Sequence, residues 1–524
     1  MTTIDCIYER MNDDIELNEK TIDLKQSQIR QFYAGQTIFL SGCTGFIGKC
    51  VVEKLLRSCP EIKKLYLLVR QRKDEQTIQD RLKYYFTNII FEKLHKTYPN
   101  FMEKIEPVKG DLMLPGIGLS AEDRKRLASE VNLIIHNAAN VQFDEQISRA
   151  LAINVLGTKE MLDLACECEH LKGFLYVSTG YSHCYMKNIE EQYYRPPADL
   201  KMVQDMLQAD KENASGLSNE AIAAAIEPWP NTYTFTKATA EGVVYDYGRR
   251  VNFPCAIYRP TIVLATYKEP IAMWSGNKNG PALSFMATCL GIIHACFLHR
   301  YPLDMCPADM ATNALLASIW DAVTNKTDEK KTQYYNYGSS TTNPITIEEM
   351  EHLTYEDRIR NPSIKNVWIL WGVLPKTLVG FYFFHFFFHC IPAFLADLFI
   401  MVQGKKPMFL PILFRVQKHL DKLFYFANGN WRIYITQMLK VVDRMNEADR
   451  ALFFCDMRIF DWADYMDRYW SGIRLYLMNE SQDTIPAGRK RHFKLYVLHH
   501  TLVTVFWAVV VYYMYRILSY VFGF

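Results

Sequence analysis

The thirteen cysteines include no Cys-x-x-Cys pair, and only Cys166 and Cys168 lie close together. No second cluster exists to complete a tetrahedral site, so a structural zinc is excluded. Free, mostly buried thiols in a reducing compartment are expected instead. An excess of one charge is also missing. Fifty-nine Lys and Arg stand against 57 Asp and Glu, a net charge of +2, and a protein that lives on nucleic-acid phosphates carries a larger basic excess. There is no internal repeat and no low-complexity linker. The polar, acidic-rich stretch Met1–Gln36 lacks the apolar core of a signal peptide, so the bulk of the chain is expected to stay in the cytosol. Tyr520–Phe524 carries no address of the Ser-Lys-Leu kind.

What is present is length and aromaticity. A chain of 524 residues is too long for one ordinary domain. With 49% hydrophobic and 22% charged residues it is not globally disordered, and a mean hydropathy of −0.11 excludes a many-pass transporter. Aromatic residues reach 14% and are unevenly placed. From residue 36 to about 350, short β-branched apolar runs alternate with helical patterns: Thr37–Leu40, Lys64–Val69, Ile105–Lys109, Val131–His136, Gly173–Val177 and Cys255–Tyr258. This alternation predicts βαβ units and a doubly wound parallel sheet of the Rossmann type. Beyond about 355 the strand pattern stops and the chain becomes helical and aromatic. The expected organisation is a polar segment 1–34, a nucleotide-binding domain 35–350, a helical domain 355–480 and an anchor helix 495–520.

The anchor reading rests on Leu495–Tyr520, where Arg516 is the only Lys or Arg and the length suffices to cross a bilayer. Arg489, Lys490, Arg491 and Lys494 precede it, which places the preceding domains on the cytosolic side. A second apolar run, Leu378–Val402, is interrupted by His385, His389, Pro392 and Asp397. It reads as a second span, a membrane-dipping helix, the wall of a lipid-substrate cavity or an ordinary buried helix pair.

The first strand runs directly into Gly42-Cys-Thr44-Gly45-Phe46-Ile47-Gly48 and a helix. Gly42 permits a tight turn, Gly45 lets the backbone approach a pyrophosphate, and Gly48 lets the helix pack on the sheet. The next strand ends in Arg70-Gln71-Arg72 with no acid at its tip. An NAD site offers Asp or Glu there to the ribose hydroxyl, whereas Arg suits a 2′-phosphate, so NADPH is expected with Arg70 and Arg72 as ligands. Asp111, followed by Leu112, ends one further strand and could accept from the adenine amino group. Asn137-Ala138-Ala139 ends another and leaves room for the cofactor.

Tyr233 and Lys237 lie four apart at the start of a helix, after Pro228 and Pro230, and so share one face. A nearby ammonium lowers the phenol's pKa and makes Tyr233 an acid near neutrality. Ser178 and Thr179 end a strand, and a hydroxyl there could stabilise an oxyanion, Thr179 first and Ser178 second.

Together, Ser41–Gly48, Leu67-Leu-Val-Arg70, Val177-Ser-Thr179, Pro228-Trp-Pro-Asn-Thr-Tyr-Thr-Phe-Thr-Lys237 and Arg259-Pro-Thr-Ile262 resemble the extended short-chain dehydrogenase/reductase superfamily. The phrase Pro228–Lys237, the segment Pro302-Leu-Asp-Met305 and the tail motif Phe454–Trp462 narrow the resemblance to the fatty acyl-CoA reductases and their C-terminal sterile domain. The resemblance covers about residues 34 to 480. It implies Tyr233 as acid, Lys237 as its electrostatic and ribose partner, Thr179 with Ser178 as carbonyl-binding hydroxyls, and Asn154 at the superfamily's active-site Asn position. It further implies reduction of long-chain or very-long-chain acyl-CoA by NADPH, through an aldehyde, to a primary alcohol. The segment 187–227 is longer than in compact members and reads as a lid. Two other readings differ in class: a membrane-anchored reductase of another lipid such as a sterol, which would lack the Phe454–Trp462 motif, and a non-catalytic NADPH-binding regulator, which would have lost Tyr233 or Lys237.

Overall fold

The computed structural model describes residues 22–71, 77–213, 216–276, 280–325 and 332–523. Seven parallel strands form its central sheet: β1 (Thr37–Ser41), β2 (Lys64–Val69), β3 (Ile105–Lys109), β4 (Leu133–His136), β5 (Gly173–Val177), β6 (Cys255–Pro260) and β7 (Gln333–Tyr337). Their order across the sheet is β3-β2-β1-β4-β5-β6-β7. β1 therefore pairs with β2 on one side and β4 on the other, Leu40 aligning with both Leu67 and Ile135. The crevice where the winding reverses lies at the carboxyl ends of these strands. Helices cover both faces, which is why β1, β4, β5 and β6 are buried at every residue and read as unbroken apolar runs.

β7 escapes the apolar pattern because its sequence, Gln-Tyr-Tyr-Asn-Tyr, looks polar. Its polar groups are satisfied instead: the Asn336 amide donates to the carbonyls of Ile189 (3.3 Å) and Tyr434 (2.8 Å). β4 begins at Leu133 rather than Val131, whose backbone closes the preceding helix.

The chain divides into two compact units, and the boundary is crossed more than once. The first unit comprises 1–274, 302–346 and 430–461; the second comprises 275–301, 347–429 and 462–524. A single boundary near 350 therefore describes only one crossing. Segment 430–461, expected within the helical domain, belongs to the sheet unit for a definite reason. Arg432–Ile433 pairs in parallel with Asn188–Ile189, and the carbonyls of Cys455 and Met457 accept from Tyr337 (2.9 Å) and Asn343 (3.1 Å). The described part of the N-terminal segment docks here as well, where the Ser27 hydroxyl donates to Asp449 (2.6 Å). The segment read as a lid contains helices Leu200–Glu212 and Asn219–Ile226, whose Val203 and Ile226 enter the central core. It is built into the sheet unit.

Two helices position the functional residues of the first unit: α1 (Phe46–Ser58) and α2 (Thr232–Gly248). The second unit holds α3 (Leu378–Val402), α4 (Phe409–Asn428) and α5 (Ile485–Phe522). α5 starts ten residues before the predicted anchor because its polar first turns pack within the unit. Gly488 abuts the Pro362 carbonyl, and Arg489 and Arg491 donate to the carbonyls of Arg360 and Asn366. Its apolar remainder is exposed and long enough to span a bilayer.

Candidate active site

The turn from β1 into α1 is fixed by two contacts that only glycine permits. Gly42 has φ +74°, and a Cβ there would lie 2.6 Å from the Ala138 amide nitrogen. A Cβ on Gly48 would lie 2.1 Å from the Gly42 carbonyl oxygen. Gly45 caps α1 without a side chain, so the first-turn amides have no side-chain acceptor, and Thr44 and Gly45 are exposed. Phe46 and Ile47 are half-buried, the Phe46 ring 5.3 Å from Trp274. This cradle fits a dinucleotide pyrophosphate.

Asn137 and Ala138 close the other wall. Asn137 donates to the Gly42 carbonyl (3.3 Å), and the Ala138 amide donates to the Ser41 hydroxyl (3.2 Å). Ala139 follows, half-buried. Arg70 is exposed at the end of β2, while Arg72 lies outside the described residues. Arg81 was not read from the sequence, yet its guanidinium donates to the Arg70 carbonyl, and Tyr85 one turn later donates to the Cys43 carbonyl in the glycine loop (3.0 Å). The helix Ile78–Phe86 thus brings a second guanidinium beside Arg70, hidden in the sequence by the ten residues between them. The Asp111 carboxylate accepts from the Met113 amide (3.1 Å), and Leu112 packs under Gly157.

Tyr233 and Lys237 sit at the start of α2, which Asn231 caps through the Thr234 amide (2.9 Å). The Tyr233 ring stacks on Phe143, centroids 5.9 Å apart. Burial pushes the phenol up to about 12, and the Thr179 hydroxyl opposes that shift. Lys237 donates to the Val177 carbonyl (2.6 Å) and lies over the Tyr176 ring. Burial pulls its ammonium down to about 7, with Glu241 opposing. Thr179 favours the phenolate, and the Lys237 ammonium is held by the Val177 carbonyl at the end of β5.

Ser178 has a different partner. Its hydroxyl donates to the Glu241 carboxylate (2.5 Å), so it supports the site and leaves Thr179 as the hydroxyl beside Tyr233. Glu241 lies two turns beyond Tyr233 on the same face of α2. It also accepts from Arg259 (2.7 and 3.0 Å) and pairs with His183 (3.1 Å). Arg259 is fully buried and holds the Glu241 carboxyl far below the usual carboxylate range against the cost of burial. An Arg inside an apolar strand was the available signal for this network.

Asn154 ties two parts of the site together. It donates to Thr236 on α2 (2.9 Å) and to the Asn140 carbonyl (3.0 Å), and it accepts from the Asn140 amide (2.8 Å). A second chain runs beneath it. Thr158 donates to the Asn154 carbonyl (2.7 Å), so it accepts from Nε2–H of His136 (3.0 Å), and Nδ1 of His136 accepts from Ser41 (2.7 Å). Burial drives the His136 ring down to about 3, so it stays neutral. The glycine loop, the β4 end and α2 are thereby linked through hydrogen bonds whose directions are all fixed.

A seven-strand doubly wound sheet with this cradle defines a nucleotide-binding domain of the Rossmann type. Two family models described as male sterility protein match the chain, one of an NAD-binding domain over residues 40–315 and one of the sterile domain over 388–480. Fatty acyl-CoA reductase wat of Drosophila melanogaster is 33% identical over 500 residues, 94% of each chain. Fatty acyl-CoA reductase 1 of Mus musculus is 34% identical over 487 residues, 92% of this chain and 93% of the relative. The chain belongs to the fatty acyl-CoA reductase family and is an oxidoreductase with an NAD(P)-binding domain. Two solved structures share the fold. The terminal R domain of the myxalamid PKS-NRPS pathway aligns with TM-score 0.54 at 20% identity, over 84% of this chain and 91% of that one. The reductase domain of a nonribosomal peptide synthetase from Mycobacterium tuberculosis aligns with TM-score 0.56 at 19% identity, over 84% and 92%.

Proposed function

We propose that the protein reduces long-chain or very-long-chain acyl-CoA to the primary fatty alcohol with NADPH, in two hydride transfers through an aldehyde. The observation that carries this reading is the Thr179–Tyr233 hydroxyl pair beside Lys237, at the strand ends that also bear the glycine cradle. Arg70 and Arg81 would hold a 2′-phosphate, Gly42–Gly48 the pyrophosphate, Asp111 with Leu112 the adenine, and Asn137–Ala139 the neighbouring wall. NADPH, when bound, supplies the hydride.

The chain's own groups do the rest. Tyr233 and Thr179 donate to the thioester carbonyl oxygen and stabilise the negative charge that develops there. Collapse of the resulting hemithioacetal expels the CoA thiol and leaves the aldehyde, whose carbonyl meets the same two donors in the second reduction. Tyr233 passes its proton to the alkoxide, and a protonated Lys237 favours the phenolate left behind. No side chain becomes a covalent nucleophile, so the scattered cysteines need no role. The exposed apolar length of α5 supports anchoring in a membrane, with Arg489, Lys490, Arg491 and Lys494 keeping the catalytic unit on the cytosolic side.

The test supplies acyl-CoA and NADPH to the membrane-bound protein and analyses the products. Fatty alcohol is expected from the wild type, and about 10²–10⁴-fold slower product formation by Tyr233→Phe. No NADPH oxidation with any acyl-CoA length would overturn the proposal.

A further inference from the structure

α3 is apolar over most of its surface, but only one side is covered. Val379, Phe383, Phe386, Phe394, Phe399 and Val402 stand exposed at helical spacing along its whole length. The opposite face carries its polar groups inward. His389 Nε2 accepts from the amides of His294 (2.7 Å) and Ala295 (3.3 Å). Asp397 accepts from the amides of Met408 (2.7 Å), Phe409 (2.8 Å) and Leu410 (2.9 Å), and so caps α4. That cap folds α4 back beside α3.

α4 is fastened twice on its return. His419 bonds to the Gly280 carbonyl (3.1 Å), and Asn428 accepts from the His299 amide (2.7 Å). These fastenings hold α4 against the unit at its middle and at its end.

Two further observations identify what covers the exposed face. Trp371 touches Phe388 of α3 (4.8 Å) and His499 of α5 (6.0 Å), so α3 stands level with the point where α5 leaves the unit. Beyond His499, Thr501–Phe522 supplies about 33 Å of exposed apolar helix, one bilayer crossing. The turn and α4 also carry Lys405, Lys406, Arg415, Lys418 and Lys422 against the single Asp421. That excess complements lipid phosphates at a membrane surface. Were the hairpin transmembrane, Arg415, Lys418 and Lys422 would lie at hydrocarbon depth.

We propose that α3 and α4 form a monotopic hairpin in the cytosolic leaflet of the membrane that α5 crosses. The aromatic face of α3 lies among the acyl chains, and the basic side chains of the turn and α4 lie at the phosphates. This rests on the reading of α5 as the anchor, and the test separates the two.

Full-length protein in sealed vesicles receives a protease site at Gly404–Lys405 and, separately, one after residue 524. A phospholipid with a photoreactive acyl chain is crosslinked and the labelled peptides are mapped. The hairpin proposal expects cleavage at 404–405 by protease added outside, together with lipid label on Val379–Val402. It expects loss of that label in Phe394→Glu/Phe399→Glu. Cleavage at 404–405 only after the vesicles are opened would overturn it in favour of a transmembrane hairpin. External cleavage without label on α3 would overturn it as well, because something other than lipid then covers that face. The C-terminal site reports on α5 alone: it is protected if α5 spans and cut from outside if it does not.

Discussion

The sheet unit buries Tyr66, Tyr176, Tyr258 and Tyr335 completely, and it encloses Arg259, Glu241 and His136 in hydrogen bonds of fixed direction. The helical unit instead leaves Phe383, Phe399, Trp507 and Tyr513 exposed. The two regions use similar side chains under opposite rules. In the first, water is the solvent and every buried polar group needs a partner. In the second, exposed aromatic faces and one long bare helix present apolar surface of the kind a membrane would cover. The uneven aromatic content noted in the sequence follows this change from buried to exposed aromatic side chains along the chain.

The largest expected effect falls in the sheet unit. Tyr233→Phe removes the proton donor and should lower kcat with acyl-CoA by about 10²–10⁴-fold, with unchanged circular dichroism. Glu241→Gln follows. It leaves the Arg259 guanidinium buried without its carboxylate, and denaturant titration should show a loss of about 3–5 kcal/mol. The same substitution should also raise the mobility of the β5 end through Ser178. An unchanged midpoint would show that the sheet unit does not depend on its buried network.

A smaller effect concerns cofactor choice. Arg70→Ala and Arg81→Ala should each raise KM for NADPH by about 10- to 100-fold and leave KM for NADH unchanged, since a charge-assisted bond to phosphate contributes about 1.5–3 kcal/mol. Equal losses with both cofactors would remove these residues from the 2′-phosphate. The smallest effect is one of pH. Lys237 titrates near 7 in the folded protein and near 10.5 when exposed, so the unfolded chain binds the extra proton between these values. Stability should therefore rise with pH from about 7 to about 10.5 and be flat in this contribution below 7. Lys237→Met should abolish that slope, as measured by melting temperature in detergent across the window.

The sequence made the sheet legible because parallel strands buried on both faces are apolar throughout. Gly42 and Gly48 were legible because glycine alone fits that turn, and Gly45 by its spacing between them. Tyr233, Lys237 and Thr179 were legible as a helical pair and a strand end. β7 was not, because its tyrosines and Asn336 look polar until their partners are placed. Glu241, Arg81 and the Ser41–His136–Thr158 chain were missed for a related reason. Each acts through a residue distant in sequence, and local spacing carries no record of such a partner. The exchange of 275–301 and 430–461 between units is likewise set by tertiary pairing, as with Arg432–Ile433 on Asn188–Ile189.

The central claim is that one Tyr233/Thr179 site performs both reductions, and isotope transfer tests it most directly. The membrane-bound enzyme is given long-chain acyl-CoA and NADPH deuterated at the transferred position, and the product is analysed by mass spectrometry. The account predicts a primary alcohol carrying two deuterium atoms at C1 from the wild type and about 10²–10⁴-fold slower product formation by Tyr233→Phe. An alcohol with one deuterium, or undiminished alcohol from Tyr233→Phe, would contradict it.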